Sequence, residues 1–317
     1  MNSIWFSPAP ARHLAYLRIS AGGFALGYLL VRAPHLRSFG SYAPERFEPV
    51  GVVGTLLGQP LGQTSVDLIL AVTIALGVCF VAGIKFRLLA PLFAFGLLWV
   101  TSYRNSFGTV LHTENLFVLH VAILSITAAA DALSVDARGR SLPADPKYRW
   151  PVPSLVLTTG LTYLLAGIAK LQSAGIDWFS GDPLRNHLAY DNLRKHLLGD
   201  YSSPIIGFFI RFDWIWAPIA IFAILIELSA PLAVLSRRIS VGLAAALWSF
   251  HIGVVALMAI VFPYQVLGLA FLPYFLLGLP ARDEDQRPSN FASRFSMKAI
   301  AASRKSSVPS NGNMPVN

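Results

Sequence analysis

Eight stretches of mainly apolar residues, each close to the length of a membrane-crossing helix, take up most of this chain. A hydrocarbon core of about 30 Å needs roughly 20 residues of helix, and lipid offers the backbone no hydrogen-bond partners. The windows are Leu14 to Val31, Val66 to Ile84, Phe86 to Val100, Leu116 to Ala132, Leu155 to Leu171, Trp214 to Leu235, Ile239 to Val261 and Tyr264 to Leu279. The third and eighth are short, so the reading is an all-α, polytopic membrane bundle of about eight helices, within a range of seven to nine. Composition agrees: 55% of the 317 residues are hydrophobic and 13% charged, too few charges to clothe a water-exposed surface.

The net charge of +9 invites a nucleic-acid reading, but its distribution favours a topological one. With an even number of spans the two termini share a side. That side collects Arg12, Arg18, Lys85, Arg87, Arg138, Arg140, Lys147, Arg149, Arg237, Arg238 and the basic residues after Pro280, most of the 25 Lys+Arg in the chain. By the positive-inside rule both termini are cytoplasmic and no nucleic-acid partner is implied. The segments rich in Trp, Tyr, His, Asn and Gly then face outward, and a site should open there. Residues 1–280 read as one membrane domain. Residues 281–317, rich in Ser, Asn, Pro and charge, read as a disordered cytoplasmic tail. The stretch from Gly181 to Gly199 is too polar to span and reads as a helix on the outer surface, an anchor or a lid. Cys79 is the sole cysteine and forms no intramolecular disulfide.

Ionisable residues inside apolar windows cost roughly 2.5–3.5 kcal/mol at a helix centre, so they mark function or tight pairing. Arg18, His120, Lys170, Glu227 and His251 qualify. Arg18 and Glu227 carry opposite charge in the cytoplasmic halves of their windows and are expected to form a structural ion pair. Lys170, at the outer end of the fifth window, is either a snorkelling lysine or a partly desolvated amine able to act as a base. His251 lies too deep to snorkel and either bridges helices or moves protons. In His112-Thr113-Glu114-Asn115, Thr113 and Glu114 suit a helix start, whereas Asn115 and His120 have no structural explanation. Three or four converging ligands of metal-binding spacing are not found, so no metal is expected. Glycine loops for nucleotides, nucleophile elbows and paired catalytic carboxylates are also missing, which disfavours soluble enzyme classes.

Ala166-Gly167-Ile168-Ala169-Lys170-Leu171, followed by Asp177-Trp178-Phe179-Ser180-Gly181, resembles the Ala-Gly-x-x-Lys-Leu and Trp-x-x-Gly signature of the vitamin K-dependent gamma-carboxylase-like membrane domain, the HTTM domain. Arg18 in the first window, Glu227 to Pro231, and His251 followed by Phe262-Pro263-Tyr264 agree in order and spacing. The likeness covers roughly residues 10 to 280. It implies that Lys170 deprotonates a reduced quinone similar to vitamin K hydroquinone, that oxygen then yields a strongly basic alkoxide, and that carbon dioxide adds to a carbanion. By the same resemblance His251 and Asn115 are catalytic. His112 just before the fourth window and His120 within it, with Trp178, Gly181 and Tyr264 of the matching segments, are the substrate-binding candidates.

The animal carboxylase has a large luminal region that this chain does not carry after its membrane domain. Bacterial SdpB-like relatives of similar length assist maturation of a secreted peptide. The resemblance therefore implies a quinol-dependent carboxylase-type enzyme of the outer face or, alternatively, a non-carboxylating factor for a secreted peptide or protein. A transporter ranks last, because matching halves with broken helices are not evident.

Overall fold

The computed structural model describes residues 2–108, 110–140 and 142–280, and the expected tail at 281–317 lies outside them. Eight helices carry the architecture: α1 (Ala11–Ser38), α2 (Gln63–Ala82), α3 (Phe86–Asn105), α4 (Asn115–Ser125), α5 (Pro151–Ala174), α6 (Asp182–Leu197), α7 (Trp216–Ser229) and α8 (Arg237–Met258). Proline and glycine set several boundaries. Pro151 and Pro153 open α5 where backbone N–H groups lack helical acceptors anyway, and Gly83 closes α2 at φ +65°. The described residues contain no strand, only an isolated bridge between Ala9 and Asp145.

Among the described residues six helices are long and apolar enough to cross a membrane: α1, α2, α3, α5, α7 with its 3-10 extension Ala230–Leu235, and α8. The all-α membrane bundle expected from the sequence is found, but a count of eight long spans is not, and two windows differ. The fourth yields α4, 11 residues long, followed by turns through residue 136 in which Leu133 takes φ +49°. The eighth breaks into Pro263–Val266, Leu269–Phe271 and Leu272–Leu276, because Gly268 at φ +75° and Pro273 interrupt the helical ladder. Hydropathy records apolar length and is blind to such breaks.

Both ends of the described chain meet at one end of the bundle. The Arg149 guanidinium donates to the carbonyls of Ser7 (3.2 Å), Pro8 (3.0 Å) and Leu279 (2.6 Å). Neighbours along the chain pack in order, α1 on α2, α2 on α3 and α3 on α4, while α5 lies against α7 and its extension. The outward faces keep Leu68, Leu88, Leu165 and Leu225 exposed, as lipid contact requires.

α5 and α7 run antiparallel at very short range. A Cβ on Gly160 would lie 2.9 Å from the Ala230 carbonyl oxygen, and one on Gly167 would lie 3.2 Å from Glu227 Cβ. Small residues let helices approach this closely in lipid, where dispersion contacts and buried polar bonds do the work of association.

Candidate functional site

A file of residues at 159, 163, 167 and 170 runs along one face of α5, following the i, i+4, i+8, i+11 spacing of a helix stripe. At its C-terminal end the Lys170 ammonium forms a salt bridge with Oε1 of Glu227 on α7. The Glu227 side chain is 2% exposed and that of Lys170 26%, so the pair is buried on one side and open on the other. Lys170 Nζ also sits 5.8 Å from the ring centroids of Trp178 and Phe250. The second carboxylate oxygen, Glu227 Oε2, is buried with no hydrogen-bond partner in the described chain.

Trp178 is held in place by its indole N–H, which donates to the Ala220 carbonyl at 3.2 Å. Gly181 follows at φ +85°, and a Cβ there would fall 2.3 Å from Ala217 N. The absence of a side chain lets Gly181 pack closely against the start of α7. Two turns back along the file from Lys170, the Tyr163 hydroxyl meets His251 Nε2 of α8 at 2.6 Å. With Tyr163 donating, Nδ1 of His251 carries the ring proton, and it too is buried without a partner. Phe262 packs on His251 with ring centroids 5.0 Å apart, and His112 packs on Phe262 at 5.4 Å.

The family model of the HTTM domain matches residues 6–276. This chain belongs to the HTTM domain family. Among curated proteins and among solved structures, no match was found. The Ala-Gly-x-x-Lys-Leu segment of this HTTM domain thus has a legible purpose: Gly167 admits Glu227 to the α5 surface, and Lys170 pairs with it three residues later.

Deeper in the HTTM domain, His120 is 1% exposed and saturated. Thr159 spends its proton on the Leu155 carbonyl (3.0 Å), so it accepts from His120 Nε2 (2.9 Å). His120 Nδ1 then accepts from the Tyr264 hydroxyl at 3.0 Å. Tyr264 is itself enclosed by Phe24 and Phe117. With both ring nitrogens engaged, His120 and Tyr264 form a buried polar tie among α4, α5 and the segment Pro263–Val266.

Arg18 and Glu227 do not pair. Arg18 is fully buried at the end where α1 begins, donating to the carbonyls of Leu133 (2.6 Å) and Phe80 (3.4 Å). Gly83 makes the room, since a Cβ there would lie 2.2 Å from Arg18 Nη1. Helical side chains lean toward the helix N-terminus. In antiparallel α5 and α7 this tilts Lys170 and Glu227 toward each other, which the charge-and-depth reading overlooked. Nor is Asn115 brought to the centre: it is exposed at the start of α4, and no side-chain bond of Asn115 to Lys170 or His251 is formed.

Sequence reasoning also missed two participants. Tyr163 carried no signal, being an aromatic residue in an apolar window, although its place seven residues before Lys170 put it on the same face. Glu114 is no simple helix-start charge: it is buried with Arg104 at 2.9 Å and accepts from the hydroxyls of Tyr28 (3.2 Å) and Thr113 (2.6 Å). Arg104 closes the third apolar window by one turn, the one cue that a second intramembrane ion pair existed.

Proposed function

We propose that this HTTM protein is a membrane enzyme of the quinol-dependent carboxylase type, working at the centre formed by Lys170, Glu227, Tyr163 and His251. The observation that carries the reading is the Lys170–Glu227 pair, buried at the carboxylate, partly open at the amine and bordered by Trp178 and Phe250. Proton transfer needs groups that exchange a proton at low cost in a water-poor site, and a lysine–glutamate pair beside a tyrosine–histidine pair supplies them.

The donor set fits a hydroquinone. Such a ring presents apolar faces and oxygens that both give and accept hydrogen bonds. Glu227 Oε2 and His251 Nδ1 are buried polar atoms without a hydrogen-bond partner, the first an acceptor and the second a donor when Tyr163 donates to Nε2, and Trp178, Phe250 and Phe262 supply apolar walls. When bound, the reduced quinone would supply, through its oxidation by oxygen, a base strong enough to remove a carbon-bound proton. The chain's own part is to orient the ring oxygens, hold a cation beside the one that loses its proton and keep bulk water away.

The distribution of basic residues accompanies this reading with an orientation: termini cytoplasmic, site outward. A reconstituted protein given reduced naphthoquinone, oxygen and labelled bicarbonate is expected to oxidise the quinol, with Lys170→Ala lowering the rate by about 100-fold or more. Equal rates for the two proteins would refute the proposal.

A further inference from the structure

We propose that the groove between residues 201–205 and the end of α8 docks an extended peptide segment, held through its main chain with an apolar side chain in the groove, next to the His251 centre. That the docked peptide carries the reacting residue rests on the proposed function. The docking itself does not.

The groove has a volume of about 300 Å³, at the lower end of the range for ligand pockets. Tyr201, Pro204 and Ile205 form one wall, and Val255, Ala256 and Val261 the other. Ser203 ties the walls together, its hydroxyl donating to the Ala256 carbonyl at 2.6 Å. His251, Val255 and Ala259 follow at four-residue steps, so they share one face of α8 and its end. Val261 adjoins Phe262, which packs on His251. The groove therefore continues the His251 stripe past the end of the helix.

The backbone selects a peptide over a hydrocarbon chain. Ala259, at φ +52°, stops α8, and residues 259–262 take no helix before Pro263. Among the described residues, the N–H and C=O groups of Ile260 and Val261 bond to nothing, and those of Ser202 in the opposite wall are equally free. A lipid or prenyl chain laid in the groove would shut these groups off from water and offer them no partner, at a cost of roughly 1–3 kcal/mol for each. A peptide main chain supplies donors and acceptors in alternation, as in recognition by strand addition. The walls add the second element of such recognition. Tyr201 is 72% exposed and Val261 52%, and an apolar side chain of the peptide covers both.

The test uses the full-length protein in phosphatidylcholine nanodiscs, without quinol, and three probes at millimolar concentration. They are acetyl-Val-Thr-Val-Thr-Val-amide, the same peptide N-methylated at every amide, and phytol, a prenyl chain with no amide. Exchange of the Ile260 and Val261 amide hydrogens, fast in the free protein, should slow by about 10-fold or more with the first probe and stay fast with the other two. Val261→Pro deletes one main-chain donor, and Ala256→Phe fills the groove while leaving the carbonyl to Ser203. Each should weaken binding of the first peptide by about 10-fold or more, read from the concentration that gives half-maximal protection. The two variants act through different atoms, so a misfolded one leaves the other to decide. Fast exchange with the first peptide, equal protection by the N-methylated peptide or by phytol, or unweakened binding in a folded variant would overturn the inference. Absence of quinol oxidation in wild type with the exchange pattern intact would remove the proposed function and leave the docking site standing, and oxidation without protection would do the reverse.

Discussion

Lys170 and Glu227 lie on antiparallel helices, and the lean of their side chains brings them together across Gly167. The same scale decides what single substitutions do. Tyr163→Phe removes the partner of His251 Nε2 and leaves a second ring nitrogen of a buried histidine unbonded. It is expected to cost about 1–3 kcal/mol, read as a lowered unfolding midpoint in detergent. Gly181→Ala places a methyl group 2.3 Å from Ala217 N at a φ of +85°. Backbone of α7 must shift, so this variant is expected to lower the yield of folded protein, with Trp178 fluorescence reporting the disturbed packing. Lys170 and His251 were legible in the sequence because charge and imidazole stand out in apolar windows. Their partners were not. A tyrosine is unremarked in such a window, and pairing by sign and depth sent Glu227 to Arg18, whose guanidinium instead donates to the carbonyls of Leu133 and Phe80.

Among the elements, α6 is the one whose place depends most on polar contacts. It lies across the end of α8, with Lys195 donating to the Met258 carbonyl (2.6 Å) and Asn192 to that of Leu257 (2.9 Å), while Ser203 just beyond α6 donates to Ala256 (2.6 Å). Three consecutive carbonyls that a helix end leaves unbonded are thus satisfied from α6 and the residues just after it. Asp191 holds Lys195 at 2.7 Å and Arg194 at 2.9 Å. Burial alone would push the Asp191 carboxyl up, but the two cations outweigh it and hold it below its ordinary 3.8. A carboxyl depressed in the folded state stabilises above its unfolded value and loses that contribution as pH falls through the folded one. Hydrogen exchange within residues 182–197 is therefore expected to speed up as pH drops below the ordinary carboxylate range, and in Lys195→Ala to be fast at neutral pH too. Unchanged protection in both would count against the clamp. The α6 surface helix was readable from its polarity between two apolar windows, with its exposed Tyr190, Leu193 and Leu197 on one face. Its anchorage was not, because backbone acceptors leave no trace in side-chain composition. For the same reason the short α4 and the broken last segment escaped a reading based on apolar length.

For the molecule as a whole, Arg149 brings Ser7, Pro8 and Leu279 to one end of the bundle, so the two ends of the domain share a side of the membrane. The proposed cytoplasmic placement adds a sign to that geometry. In a Cys79→Ser background, a cysteine at Tyr201 should react with a membrane-impermeant maleimide applied outside intact cells, and one at Asp145 only after permeabilisation. The reverse pattern would invert the orientation and put the Lys170 opening on the cytoplasmic side. Class and family were legible at this scale because lipid imposes a strict grammar of apolar lengths, and the HTTM match over residues 6–276 agrees with it.

The account turns on Lys170 and Glu227 acting as one unit, and a double-mutant cycle on unfolding free energy measures that directly. Lys170→Met, Glu227→Gln and their combination should show a coupling of about 0.5–3 kcal/mol, while Arg18→Met and Glu227→Gln should add to within about 0.5 kcal/mol. Additive Lys170 and Glu227 effects, with coupling appearing between Arg18 and Glu227 instead, would contradict it.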